Sequence, residues 1–221
     1  MTPTPSSAWS IDEAVREAIA RLGLDGIVAY PTETVWGLGA CAAQPRAVER
    51  LLAWKGRASD SPLAVLVSGK QAADSMGCDL RAPILRLMDA FWPGPLTIVA
   101  ACRKAWAPGV ARVDGALGLR CSPHPLASAV AAGLFEAGLG PLTSTSLNRS
   151  GEAPARVVEE AIGLTANISS QLLDTPLLIS SAGHEAGGAR PSTVVDCTAS
   201  EITILRQGAI ARDAIGEVWS G

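Results

Sequence analysis

The sequence predicts an α/β fold: a single domain in which a twisted mixed β-sheet is flanked by helices. Short apolar runs of strand length alternate along the whole chain with segments whose apolar residues recur at helical spacing. Of the 221 residues, 48% are hydrophobic and 18% charged, enough apolar material for a large core. No repeat, low-complexity tract or linker divides the chain, so the domain is expected to span 1–221, with 1–9 flexible and the core at about 10–210.

The elements follow in order. Ser10 with Glu13 three residues later, and Ile11, Val15, Ala18 and Leu22 before Gly23, predict a capped amphipathic helix. A buried strand follows at 26–30. Pro45 opens a helix whose apolar face, Val48, Leu51 and Leu52, runs out at Lys55-Gly56-Arg57, which places two cations at its C-terminal end. A strand at 63–67 precedes helices at 71–76 and 82–91, the second stopped by Trp92-Pro93-Gly94-Pro95. Further strands are expected at 96–99, 117–121, 142–146, 177–179, 193–196 and 202–205, with helices at 126–137 and 157–164. The Gly-rich stretch 183–190 reads as a loop inside the domain.

Charge is nearly balanced, 18 Lys+Arg against 21 Asp+Glu for a net −3, without the positive field that non-specific nucleic-acid binding uses. The five cysteines are scattered, with no C-x-x-C pair, and read as reduced, mostly buried thiols rather than a zinc set. The opening residues lack a basic region followed by an apolar one, and no stretch approaches the roughly 18 apolar residues of a spanning helix. A cytoplasmic protein without membrane contact is expected, so the N-x-S triplets at Asn148 and Asn167 do not read as glycosylation sites.

Phosphate-loop, dinucleotide, nucleophile-elbow and zinc-protease signatures are absent. What remains are polar clusters at expected strand ends: Pro31–Thr34, Lys55–Arg57, Arg120 before Pro123-His124-Pro125, Ser144–Asn148, Pro191–Thr193 and Arg206–Gly208. They supply cations and neutral hydrogen-bond donors but few carboxylates, as a site for anionic small molecules requires. Each also has a plainer reading. Lys55 and Arg57 are either ligand-binding cations or a solvated helix end complementing the macrodipole. Ser144 to Ser146 satisfy neighbouring backbone or touch a ligand. Arg120 pairs with a carboxylate or faces a ligand, and Glu33 and Thr34 only shape a turn or do more. His124, between two prolines, reads as part of a rigid turn, and His184 as exposed on its loop. Core packing is the default for Trp36, Trp54 and Trp92. No serine has the His and Asp arrangement of a nucleophile.

In order along the chain, these clusters resemble the YrdC-type family of threonylcarbamoyl-adenylate synthases. The resemblance rests on YPTETVWGLG (Tyr30 to Gly39), K-x-R at Lys55 and Arg57 followed by Ser61-Pro62-Leu63, and WPGPLT (Trp92 to Thr97). It continues through L-R-x-x-x-H-P (Leu119 to Pro125), S-x-N (Ser146 to Asn148), PSTVVD (Pro191 to Asp196) and ILRQGAI (Ile204 to Ile210). It implies a YrdC-like fold and an enzyme that joins L-threonine, bicarbonate or CO2, and ATP into L-threonylcarbamoyladenylate with release of pyrophosphate, the first step of t6A formation in tRNA. Such a reaction brings anions together and needs fixed cations and oriented donors more than a nucleophile.

By the same resemblance, Lys55 and Arg57 are the catalytic cations. Arg57, Ser61, Ser146, Asn148 and Arg206 are expected to contact ATP, and Thr34, Arg120, Ser144 and Ser192 to form the threonine pocket. Mg2+ is expected to arrive with ATP, with no metal held by the protein itself. Separate transferase proteins of the t6A pathway are implied as partners, without deciding whether tRNA touches this chain directly. Trp36 stands where Tyr is usual and Leu147 where Ala is usual, which points to altered packing around the nucleotide. The chain is expected to be the short form, without the C-terminal domain of longer members. Two alternatives stand beside this reading. One is an RNA-binding or ribosome-maturation protein, against which the acidic balance counts. The other is the carbamoyl-adenylate-handling module of hydrogenase maturation, against which the missing paired C-x-x-C motifs count.

Overall fold

In a computed structural model of the protein, which describes residues 9–57, 62–166, 172–181, 183–188 and 190–221, nine strands join in one mixed sheet. They are β1 (Val28–Tyr30), β2 (Gly37–Gly39), β3 (Ala64–Leu66), β4 (Leu96–Ala101), β5 (Ala116–Arg120), β6 (Leu142–Ser146), β7 (Leu177–Leu178), β8 (Thr193–Asp196) and β9 (Thr203–Arg206). Their order is β7-β1-β2-β6-β3-β5-β4-β8-β9. The pairs β1/β7, β3/β5 and β4/β8 are parallel and the rest antiparallel. The expectations for residues 1–8 and for Asn167 lie outside the described residues. Trp9 departs from the flexible segment expected at 1–9, because it bridges to Ser181.

Among the described residues seven α-helices flank the sheet: α1 (Ile11–Gly23), α2 (Pro45–Lys55), α3 (Lys70–Ser75), α4 (Ala82–Phe91), α5 (Pro125–Glu136), α6 (Val158–Thr165) and α7 (Arg212–Ser220). The expected capping box starts α1. The Ser10 hydroxyl accepts from the Glu13 amide at 3.3 Å, and the Glu13 carboxylate accepts from the Ser10 amide at 2.9 Å. Among the described residues three elements have no counterpart in the sequence reading, one of them a single 3-10 turn at Leu172–Asp174. β2 is a three-residue Gly-Leu-Gly strand with no alternation to betray it. α7 is held by Ile215 in the core and by Arg86 of α4, which donates to the carbonyls of Val218 and Trp219.

Strand alternation divides the buried side chains into two cores. Ala29, Val65, Ile98, Leu117, Leu119 and Val195 pack on one face with residues of α2, α4 and α7. Val28, Tyr30, Leu66 and Leu142 pack on the other face with Ala14, Ala18 and Leu22 of α1 and with Leu126, Val130 and Leu134 of α5. These two helices contact β1 and β6. Beyond Leu66, the same face carries Ala64 of β3, Gly118 of β5, and Thr97 and Val99 of β4, which line an opening. A cavity of about 1000 Å³ stands there, at the upper end of volumes common for ligand sites.

Candidate active site

Strand register builds the cavity floor from residues far apart in sequence. Ser144, Ala64, Gly118 and Val99 stand in one row across β6, β3, β5 and β4. Arg120, Thr97, Val194 and Arg206 stand in the next, across β5, β4, β8 and β9. Gly118 keeps the floor flat, since a Cβ there would lie 3.1 Å from the Ala64 Cβ.

One wall is cationic. The K-G-R spacing ends α2 with Gly56 in the left-handed conformation, φ 64°, so that its amide and that of Arg57 close on the Ala53 and Leu52 carbonyls. That turn keeps Lys55 inside and sets Arg57 on the cavity. Lys55 is 3% exposed, which settles its alternatives against a solvated helix end. Its Nζ donates to the Ser146 carbonyl at 2.6 Å, the Asn148 carbonyl at 3.0 Å and Asn148 Oδ1 at 3.1 Å. All three acceptors are neutral. Burial, and then the nearby Arg57 and Arg149 cations, pull the Lys55 ammonium down to about 8. Arg149 is stacked on Trp54 with its guanidinium carbon 4.2 Å from the ring centre. Asn148 is consumed within the fold. Its Oδ1 also accepts from Ser146 Oγ at 2.6 Å, and its Nδ2 donates to the Arg149 and Glu152 carbonyls. Asn148 therefore shapes this wall by fixing Lys55 and the loop after β6.

A second wall centres on Arg120, 8% exposed. It pairs with the Glu33 carboxylate and also lines the cavity. Its Nη2 donates to Glu33 Oε1 at 2.8 Å and to Thr34 Oγ1 at 2.5 Å, while its Nε is buried without a partner. An orphaned donor of this kind costs roughly 1–3 kcal/mol unless a ligand satisfies it. Thr34 is itself fixed by Thr32, whose Oγ1 lies 2.9 Å away and donates to the Val35 carbonyl at 2.7 Å. Beyond Arg120, Ser192 Oγ shares a hydrogen bond with Thr97 Oγ1 at 2.9 Å and accepts from Arg206 Nη2 at 3.0 Å. Partial desolvation, and then the Arg120 cation, lower the pKa of the Arg206 guanidinium.

Nine of the ten candidate residues thus line one cavity: Thr34, Lys55, Arg57, Arg120, Ser144, Ser146, Asn148, Ser192 and Arg206. Ser61 lies outside the described residues. Among the described lining residues the sole carboxylate is Glu152. Trp36 and Leu147, the two departures in size, are buried in the same core, and the Leu147 amide donates to the Trp36 carbonyl at 2.8 Å. Trp54 is buried as expected and Trp92 is half-buried. His184 is half-buried rather than exposed, because its ring meets that of His124 edge to face at 6.3 Å. His124 starts α5, and burial lowers the pKa of its imidazole. All five thiols are free and buried.

The motif Arg206-Gln207-Gly208 meets Pro191-Ser192 by backbone contact, because a Cβ on Gly208 would lie 2.3 Å from the Pro191 carbonyl oxygen and 2.4 Å from the Ser192 carbonyl carbon. Gly208→Ala is therefore expected to lower the unfolding free energy by about 1–3 kcal/mol, read from the urea midpoint at unchanged slope. Gly216, which by contrast has nothing within 4 Å of an added Cβ, serves as the control that loses no stability on the same change.

The family profile described as Sua5/YciO/YrdC, telomere recombination, matches residues 21–208. A threonylcarbamoyl-AMP synthase of Xanthomonas campestris pv. campestris is 37% identical over 198 residues, covering 84% of this chain and 94% of its own. The threonylcarbamoyl-AMP synthase of Bacillus subtilis (strain 168) is 33% identical over 209 residues, 94% of this chain and 57% of that protein. Among solved structures, P. abyssi Sua5 complexed with L-threonine superposes with a TM-score of 0.81 at 25% identity, over 96% of this chain and 58% of that one. The chain thus spans little more than half the length of some relatives and nearly all of others. With a family profile covering most of its length and the profile's segments meeting in one cavity, the chain belongs to the Sua5/YciO/YrdC family.

Proposed function

We propose that the protein is an L-threonylcarbamoyladenylate synthase, a nucleotidyl-transferring enzyme that condenses L-threonine, bicarbonate or CO2, and ATP, releasing pyrophosphate in the first step of t6A formation. One observation carries the reading. A single cavity joins the Lys55 and Arg57 wall to the Arg120 pocket, with five cations and one carboxylate among its described lining residues. The names of the relatives and the threonine complex of the P. abyssi protein support it.

In this account the threonine carboxylate pairs with Arg120, while the hydroxyls of Thr34, Ser144 and Ser192 read the polar side chain. The nucleotide lies along Lys55, Arg57 and Arg206, with Ser61 and Ser146 as further contacts and Asn148 as the brace of that wall. The neutral threonine amine adds to the carbon of CO2 with loss of its proton to solvent, or to that of bicarbonate with loss of water, to give a carbamate. A carbamate oxygen then attacks the α-phosphorus of ATP, and pyrophosphate leaves. Repulsion among carboxylate, carbamate and phosphates opposes this assembly, and the fixed cations offset it. Once the groups are aligned, positioning supplies much of the rate. The cationic and hydroxyl donor set suits a nucleotide that brings its own Mg2+, and among the described residues no three or more His, Cys, Asp or Glu side chains gather to hold a metal. The buried free thiols are compatible with a cytoplasmic setting, where separate transferases pass the threonylcarbamoyl group to tRNA. None of the helices among the described residues is long and apolar enough to cross a membrane.

The test supplies ATP, L-threonine and 13C-bicarbonate and follows the product by mass spectrometry. A threonine-dependent acyl-adenylate carrying one 13C is the expected result. RNA binding that falls with salt, with no such product at any pH or Mg2+ concentration, would point instead to a binding protein.

A further inference from the structure

The Arg120 pocket has a polar partner outside the cavity. Glu33 does not line it, and its carboxylate, 18% exposed, spends one oxygen on Arg120 Nη2 at 2.8 Å. The other oxygen accepts from the Ser122 hydroxyl. Ser122 in turn accepts from the His124 amide at 3.2 Å, at the start of α5. The same Glu33 backbone is confined from the opposite side, because a Cβ on Gly188 would lie 2.5 Å from the Glu33 carbonyl oxygen and the Gly187 amide donates to the Thr32 carbonyl at 3.1 Å. A chain of hydrogen bonds therefore runs from α5 through Ser122 and Glu33 to Arg120 and on to Thr34.

We propose that Glu33, braced by Ser122, is the positioning residue that turns Arg120 toward the threonine carboxylate. The inference rests on the proposed threonine pocket. With Nη2 tied to Glu33 and Thr34, the guanidinium is held in one orientation at the edge of the cavity that it lines. Glu33 does not serve as the base for the threonine nitrogen, since both of its oxygens already accept from the protein. Its effect falls on substrate placement and leaves the chemical step alone.

The experiment measures kcat and KM for threonine and for ATP in the parent, Glu33→Gln, Ser122→Ala and the double variant, by pyrophosphate release. Glu33→Gln keeps the shape and removes the charge, and is expected to raise the threonine KM about tenfold, with the ATP KM and kcat each within about twofold. Ser122→Ala is expected to raise it about threefold, and the double variant to match Glu33→Gln, because the hydroxyl acts through the carboxylate. A fold defect would move all three parameters in both single variants, and that result counts against the proposal. An unchanged threonine KM in Glu33→Gln overturns it, as does a fall in kcat alone or strict additivity in the double variant. A parent that makes no product sinks the synthase reading itself, an outcome separate from a working parent with a silent Glu33→Gln.

Discussion

Arg120→Ala is expected to reduce threonine-dependent pyrophosphate release by about 10²- to 10³-fold in kcat/KM, chiefly through the threonine KM. Truncating one partner of a buried, hydrogen-bonded charge pair costs roughly 2–5 kcal/mol, and each 1.4 kcal/mol is tenfold. Here the loss has two parts. The substrate carboxylate loses its cation, and Glu33 is left with only Ser122 while Thr34 loses the donor that orients it. Arg120→Lys separates them. An ammonium restores charge but lacks the planar fork that holds Glu33 and Thr34 on one nitrogen and keeps others for the ligand, so it is expected to recover about a tenth of the loss or less.

Lys55→Met is expected to lower kcat/KM by a comparable factor, about 10²-fold or more, with the ATP KM raised. Its pH behaviour distinguishes it from Arg120. The Lys55 ammonium sits at about 8 in the folded protein against an ordinary 10.5, because burial and then its cationic neighbours disfavour the charge. Between those values the unfolded chain binds more protons than the folded one, so the parent gains stability relative to Lys55→Met as pH rises through that window. Binding of a polyphosphate favours the charged form and takes up a proton. Affinity of the parent for a non-hydrolysable ATP analogue is therefore expected to weaken above about pH 8, while Lys55→Met shows no such step. Calorimetry in buffers of different ionisation enthalpy reads the proton uptake directly.

Much of this was legible in the sequence where the signal is local. The Ser10 and Glu13 capping pair, the Pro45 start of α2 and the strand runs of β4, β5, β6 and β8 each carry their own chemistry, and the structure places them within a residue or two of the expected bounds. The candidate residues of the cavity came from motif order rather than periodicity, since Arg120, Thr97 and Arg206 become neighbours only through the register of β5, β4, β8 and β9. For the same reason the sequence leaves open whether Glu33 does more than shape a turn, because its partners are 87 and 89 positions away. Lys55 followed by Gly and Arg looks like a solvated helix end, and only the loop after β6, folding its carbonyls over the ammonium, buries it. Asn148 lines the cavity, and its four side-chain hydrogen bonds within the fold add a bracing role that the motif alone does not reveal. β2 was invisible because two glycines around one leucine carry no strand propensity.

The most direct test of the central claim, that both substrates react in this one cavity, is the stoichiometry of a single turnover. Enzyme in excess is mixed with α-labelled ATP, labelled L-threonine and bicarbonate. The account predicts one AMP and one threonine in the same product for each pyrophosphate released, with no release when threonine is omitted. Pyrophosphate or phosphate released at the same rate without threonine, or AMP and threonine in separate species, would contradict it.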